Sequence, residues 1–99
     1  MNINVTISGS TAVLNMNGRF DFSAHRDFKN AYTSLMQQAG VNNLEVDLSN
    51  VEYVDSSALG MLLMLRERAQ AVNKSVVLSK PSHAVAQILD IASMAWRSE

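Results

Sequence analysis

The chain has 99 residues, a formal net charge of −1 and no cysteine; 47% of its residues are hydrophobic and 17% are charged. This length suits one hydrophobic core, and the composition argues against a disordered chain, a disulfide framework and thiol chemistry. Lysine and arginine are scattered along the chain, so nucleic acid is not an expected partner.

The segment 3–18 predicts a hairpin with one buried face. Apolar and polar residues alternate on both sides of a Ser8-Gly9-Ser10 turn, and Asn17-Gly18 is expected to close the second strand. The predicted buried face consists of Ile3, Val5, Ile7, Ala12, Leu14 and Met16.

A first helix is expected next, with Ser23 as its N-cap and Gly40 as its stop. Its apolar residues recur at spacings of three and four: Ala24, Phe28, Ala31, Leu35 and Ala39. Asp21 lies just ahead of this helix. It is interpreted either as a structural turn residue or as a loop carboxylate that contacts a partner.

A third strand is predicted from the alternation of Leu44, Val46 and Leu48. Glu45 and Asp47 lie between them. Two carboxylates suggest acid catalysis, but residues two apart on a strand are most simply its solvated face.

The segment Asp55-Ser56-Ser57 follows a short apolar stretch and precedes an amphipathic helix. Serine and aspartate are favoured at helix starts because their side-chain oxygens accept hydrogen bonds from unpaired N–H groups. A helix cap is therefore the simplest interpretation of Ser56. At 3.6 residues per turn, the predicted core side of this helix consists of Ala58, Leu62, Leu65, Ala69 and Val72.

The opposite side of the same helix has an unusual composition. Exposed helix faces are normally charged, whereas this one joins a terminal serine to a glycine and bulky apolar groups, which is typical of a docking surface. The helix that begins at Ser56 is the second predicted helix, α2, so we name this surface the α2 ridge and define it as Ser56, Gly60, Leu63, Met64 and Glu67.

The last third of the chain predicts a strand and a helix. Asn73-Lys74 forms a turn, Ser75–Ser79 a fourth strand, and Ser82 the cap of a final helix. The predicted core side of that helix is Val85, Ile88, Leu89 and Ala92. Trp96 is expected either to pack against the sheet edge or to lie in an extension of this helix.

Together the elements predict a single-domain α/β fold over residues 1–99. Its order is β-β-α-β-α-β-α, and its mixed, four- to five-stranded sheet is covered by helices.

Several kinds of chemistry have no motif here. His25 and His83 have no metal-ligand partner at a suitable spacing, and there is no phosphate-binding glycine loop or acyl-transfer serine elbow. Ser56 has no neighbouring histidine in sequence, so it is a poor nucleophile. We therefore expect no cofactor, no metal and no enzymatic activity.

The start of the chain, Met1-Asn2-Ile3-Asn4-Val5, lacks the basic and apolar regions of a signal peptide. The uncharged apolar run near Ala58–Leu65 is far below the roughly 20 residues that a membrane span needs. A cytoplasmic protein without direct membrane insertion is expected.

The run Tyr53-Val54-Asp55-Ser56-Ser57-Ala58-Leu59-Gly60 resembles the core motif of STAS domains, in particular of bacterial anti-sigma factor antagonists. In that family the motif is commonly Asp-Ser-Ser/Thr-Gly-Leu-Gly, so Ala58 replaces a usual glycine. The segment Asn17-Gly18-Arg19-Phe20-Asp21 is similar to the family's Gly-x-Leu/Phe-Asp segment. The resemblance covers essentially the whole chain.

The resemblance implies a phosphorylation site at Ser56, with Ser57 as the second candidate acceptor. It implies that the unmodified protein binds an anti-sigma factor/serine kinase of the ATP-binding type in a partner-switching pathway, and that a serine phosphatase reverses the modification. Asp21, Asp55 and the α2 ridge are the expected partner-binding residues. Asp21 would contact the kinase or its nucleotide-bound metal. The family also implies a monomer when the protein is free.

Two other functions remain open from the sequence. The first is a STAS accessory subunit that docks on the ATPase of a membrane transport complex, with Ser56 only a helix cap. The second is an enzyme with Ser56 as nucleophile.

Overall fold

The computed structural model describes residues 1–98. Glu99 lies outside the described residues. It is the last residue of the predicted domain, 1–99, and of the stretch 93–99, whose conformation the sequence left open.

Across residues 1–98 the elements follow the predicted order β-β-α-β-α-β-α. The strands are β1 (Asn2–Ser8), β2 (Thr11–Phe20), β3 (Asn43–Val54) and β4 (Ser75–Ser79). The helices are α1 (His25–Met36), α2 (Ser56–Ala71) and α3 (His83–Ile91), with a 3-10 turn at Phe22–Ala24.

The described strands form one four-stranded sheet in the order β1-β2-β3-β4. β1 pairs with β2 antiparallel, whereas β2 pairs with β3 and β3 with β4 in parallel. The predicted mixed sheet is confirmed. The two parallel connections, β2-α1-β3 and β3-α2-β4, move in the same direction across the sheet. Connections of the same handedness place their helices on the same face, so α1 and α2 lie on one face of the sheet.

A single core cluster joins the sheet to all three helices. β2 and β3 contribute alternate residues to it, as the period of two predicted, and Leu44, Val46 and Leu48 are fully buried. The largest fully buried side chains include Phe20, Phe28, Leu14, Met16, Leu35, Leu62, Leu65 and Leu89.

The predicted buried face of the hairpin is buried along β2 but only in part along β1. Ile3, Val5 and Ile7 do lie on the helix-covered side of the sheet, because they pair with the buried Met16, Leu14 and Ala12. Val5 is nevertheless 42% exposed and Ile7 48% exposed. β1 is an edge strand, and the helices cover its apolar row only in part.

The predicted limits of α1 are wrong. Ser23 does not cap it, since Ala24 is the N-cap residue and makes no side-chain cap bond. The helix ends at Met36, before Gly40, and Ala39 is exposed. Just past this end, the Lys74 ammonium donates to the carbonyls of Gln38 and Val41, which are in the non-helical segment that follows α1.

Three smaller corrections concern element ends. β2 does not close at Asn17-Gly18 but continues to Phe20 through two register shifts, with Gly18 at φ 108°. Val72 and Ala92 are exposed, because each is the C-cap residue of its helix, where the backbone leaves the helical path. Two predictions are confirmed: Ser82 is the N-cap residue of α3, and Asn73, at φ 59°, lies in a turn.

Glu45 and Asp47 point away from the helix-covered face but are not freely solvated. Their side chains are only 19% and 15% exposed. Glu45 accepts a hydrogen bond from Ser79 at 2.7 Å and lies 3.7 Å from the Arg97 guanidinium, while Lys80 lies 3.9 Å from Asp47. Ion pairing explains both carboxylates without catalysis.

The C-terminal stretch settles the alternatives for Trp96. α3 ends at Ile91, and the half-buried Trp96 packs on the core while its Nε1 donates to Asp90 at 2.8 Å. The next residue, Arg97, forms an isolated parallel bridge with Ser79 on the outer edge of β4. Trp96 therefore lies beside the sheet edge and not in a longer helix.

Candidate functional site

Two loops meet at the carboxyl ends of β2 and β3. Phe20 and Val54 are paired residues at the ends of these parallel strands, and the Asp55 N–H donates to the Phe20 carbonyl at 3.3 Å. Asp21 and Asp55, which follow these strand ends, are thereby brought to the same edge of the sheet. Parallel pairing thus places the two loop carboxylates at one site.

Asp55, not Ser56, caps α2. The Asp55 carboxylate oxygen Oδ1 accepts a hydrogen bond from the Ala58 N–H at 2.9 Å. Ser56 is the first helical residue and is exposed, whereas Ser57 is half-buried. The Ser56 hydroxyl therefore lies at the positive end of the helix dipole without having to make the cap bond.

Asp21 organises the neighbouring loop. Its Oδ1 accepts hydrogen bonds from the Ser23 hydroxyl at 2.5 Å and from the Ser23 N–H at 3.0 Å, which cap the 3-10 turn. These bonds, helped by the charge of Arg19 at 3.7 Å, lower the pKa of Asp21 below its ordinary value. Asp21 is thus ionised at neutral pH. The sequence-predicted structural turn role is present, and a contact role is compatible with it.

The α2 ridge lies on the surface. Ser56, Gly60 and Glu67 are exposed, Leu63 is 45% exposed and Met64 is 42% exposed. The helical phase predicted from the sequence is therefore confirmed along the ridge, although its binding role stays a prediction. A Cβ placed on Gly60 would meet nothing within 4 Å, so the fold itself does not require a glycine there.

The sequence reasoning missed two exposed aromatic residues at the same edge. Phe22, in the 3-10 turn, is 73% exposed and stacks on His25 with ring centroids 6.2 Å apart. Tyr53 is 41% exposed, and the Arg19 guanidinium lies 4.4 Å from its ring centroid. The available signal was that Phe22 falls outside the apolar period of α1.

Metal and membrane features are not found in the part of the chain that the structure describes. Within residues 1–98 no group of three or more His, Cys, Asp or Glu residues is placed to hold a metal ion. Among the same residues no helix combines the length and apolarity that crossing a bilayer requires.

The family model described as "Mlab, STAS domain" matches residues 3–95 of the chain. The chain belongs to the STAS domain family. This STAS domain is 42% identical over 85 residues to the STAS-domain containing protein PA14_20770 of Pseudomonas aeruginosa (strain UCBPP-PA14), covering 86% of the present chain and 82% of that protein.

Solved structures of similar fold are much more distant in sequence. A putative anti-sigma factor antagonist from Thermotoga maritima matches with a TM-score of 0.87 at 18% identity, over 98% of this chain and 86% of that one. The anti-sigma factor antagonist SpoIIAA matches in its unphosphorylated form with a TM-score of 0.83 at 19% identity, over 97% and 85%. Its phosphorylated form, from Bacillus, matches with a TM-score of 0.76 at 18% identity, over 97% and 88%. These likenesses establish the fold that the STAS domain shares with them.

Proposed function

We propose that this STAS domain is a phosphorylation-controlled binding protein of the anti-sigma factor antagonist type. Its unmodified form binds an ATP-binding anti-sigma factor/serine kinase through the α2 ridge and so frees that partner's client. Phosphorylation of Ser56 ends the binding, and a serine phosphatase restores it. The observation that carries the proposal is the exposed Ser56 hydroxyl at the start of α2, on the same side of the helix as Leu63 and Met64.

The helix start favours a modification that leaves the fold intact. Transfer of the γ-phosphoryl group of ATP to the Ser56 oxygen releases ADP and puts an anion beside the free N–H groups of the first turn. Asp55 already supplies the cap through its bond to Ala58, so the modified hydroxyl removes no cap. The core side of α2 is not touched.

Binding would respond differently from folding. Phosphoserine adds about −1.5 to −2 charge at neutral pH, next to the carboxylates of Asp55 and Asp21. Leu63 lies seven residues along α2, or roughly 10 Å at the helical rise, which is about one Debye length at moderate salt. A partner that covers Leu63 and Met64 would have to bury or repel this charge.

Supporting this proposal, SpoIIAA shares the fold and has been solved in both phosphorylated and unphosphorylated forms. The exposure of Ser56 against the half-buried Ser57 favours Ser56 as the acceptor. Asp21, ionised and at the same edge, is proposed to contact the kinase or its nucleotide-bound metal. The proposal assigns no catalytic role to the STAS domain and implies a cytoplasmic location.

Phosphate incorporation tests the proposal. The kinase would be isolated by crosslinked pull-down with the unmodified protein and then incubated with ATP and each variant. We expect one phosphate on the wild type and on Ser57→Ala, the matched control, but none on Ser56→Ala. We expect Ser56→Asp to fold normally by circular dichroism and to lose affinity for the kinase. Phosphate on Ser57, or full binding by Ser56→Asp, would contradict the proposal.

A second candidate is an accessory subunit that docks on the ATPase of a membrane transport complex. A fold does not fix function, and the STAS family match and the exposed α2 ridge fit this role as well. The α2 ridge would serve as the docking surface here too, but Ser56 would have no switching role. Stable co-purification with an ATPase, unchanged by Ser56→Asp and without phosphate incorporation, would select this function.

A further inference from the structure

The two edges of the sheet are built differently. β4 has five residues, and its outer edge is bridged at Ser79 by Arg97, whose N–H donates to Leu78 and whose carbonyl accepts from Lys80. β1 has seven residues and pairs with β2 in continuous register from Asn2↔Asn17 to Ser8↔Thr11. Its sequence contains no charged residue and no proline.

These differences matter because sheet edges present unpaired N–H and C=O groups. Natural proteins usually block them with short strands, charged side chains, proline, bulges or a covering segment. The β4 edge is short and Arg97 bridges its C-terminal end, whereas the full length of β1 carries none of these sequence features. β1 is therefore suited to pairing with another strand.

The side chains of β1 indicate which strand it fits. An antiparallel pair of two β1 strands centred on Val5 places Ile3 against Ile7 of the second copy and Asn2 against Ser8. The half-exposed apolar rows then meet on the helix-covered side, and Asn4 meets Thr6 on the other side. Cross-strand apolar pairs of this kind stabilise sheets, and no like charges oppose each other within the strands.

Charges nearby are compatible with this pairing. Asp27 of α1 lines the cleft beside β1 together with Asn2, Ile3 and Val5. A twofold axis through Val5 relates the clefts of the two copies, so each Asp27 carboxylate lies in its own cleft on its own side of the axis.

We propose that β1 is a homodimerisation edge, on which two copies of this STAS domain join their sheets by antiparallel β1–β1 pairing about Val5. The pairing uses the longer edge of the sheet that residues 1–98 form. A twofold interface engages the same edge of both copies and therefore closes at a dimer. This departs from the free monomer that the family resemblance implies. It does not rest on the proposed function, because β1 packs with α1 whereas α2 packs on β3 and β4.

We expect a reversible dimer, since a seven-residue strand pair buries less than the about 1,200–2,000 Å² of standard stable interfaces. Sedimentation velocity of the wild type should show a shift from monomer to dimer as the concentration rises from micromolar to millimolar. Val5→Lys should abolish that shift, because the axis would place two ammonium groups together. Val72→Lys is the matched control, since Val72 is similarly exposed, at 47%, but lies at the end of α2.

Single cysteines test the register, since the chain has none of its own. In Val5→Cys the two Cβ atoms would be about 5 Å apart, so a short bismaleimide should link the copies. In Asn2→Cys the same atoms would be roughly 20 Å apart, and the reagent should not link them. Melting curves would verify that each variant folds. A wild type that stays monomeric, a dimer unaffected by Val5→Lys, or equal crosslinking of both cysteine variants would overturn the proposal.

Discussion

Gly60 occupies a solvent-facing position within α2 where packing does not call for a glycine, because a Cβ there would meet nothing within 4 Å. Glycine inside a helix costs about 1 kcal/mol relative to alanine. The free protein thus gives up stability at a position in the middle of the α2 ridge. Close approach of a partner's backbone is a physical reason for a residue without a side chain.

Gly60→Ala should therefore stabilise the free protein and weaken binding to the kinase. The expected gain in stability is about 1 kcal/mol from helix propensity, measured by denaturant unfolding. Calorimetry should show a loss of affinity of at least several-fold. Unchanged affinity would mean that the partner does not approach the ridge closely at this turn.

Phe22, in the 3-10 turn after β2, provides a second test of the proposed interface. Its ring is 73% exposed, so Phe22→Ala should change the free energy of unfolding by less than about 0.5 kcal/mol. Aromatic residues are enriched among interface hot spots, whose truncation costs about 2 kcal/mol or more. If Phe22 is such an anchor, Phe22→Ala should lower affinity for the kinase about 30-fold. Titration of the kinase with the wild type and with Phe22→Ala measures the difference in affinity. Equal affinities would exclude the 3-10 turn from the interface.

Among the elements, α2 carries both stability and proposed recognition, on opposite sides. Leu62 is 1% exposed and belongs to the core, whereas its neighbour Leu63 is 45% exposed. The same chemical change at these adjacent positions should therefore have opposite consequences.

Leu62→Ala should destabilise the fold by roughly 2–5 kcal/mol, because it removes buried methyl groups and leaves a cavity. Leu63→Ala should lower the melting temperature little but weaken kinase binding. Thermal unfolding and calorimetry on the pair of variants separate the two effects. A large loss of stability in Leu63→Ala would show that the exposed side of α2 has been assigned incorrectly.

In the molecule as a whole, the proposed switch and the proposed dimer edge occupy separate regions. β1 contacts α1, whereas α2 lies over β3 and β4 and reaches the β1 side through its own contact with α1. Residues that share no contacts usually contribute independently to stability and binding.

Val5→Lys should accordingly retain the wild-type rate of phosphate incorporation at Ser56, and Ser56→Asp should retain self-association. Kinase assays and sedimentation on the two single variants check this independence. If Val5→Lys lost phosphorylation while remaining folded, the two surfaces would be coupled and the kinase would recognise the dimer.

The sequence by itself determined the elements and much of the α2 ridge. Alternation through Leu44, Val46 and Leu48 and the helical spacing of Ala58, Leu62 and Leu65 are local patterns, and local periodicity records which side of an element is buried. For that reason the order of elements, the mixed sheet and the exposure of Leu63 followed from the residues alone.

Only the tertiary structure decided features that depend on distant neighbours. Lys74 donates to carbonyls more than 30 positions earlier, in the segment after α1, and Arg97 forms an ion pair with Glu45, whose position on the strand predicted a solvated side chain. Val5 and Ile7 have the pattern of buried residues but lie at an edge that the helices do not fully cover. Burial of this kind is a property of the assembled layers, and no local spacing encodes it.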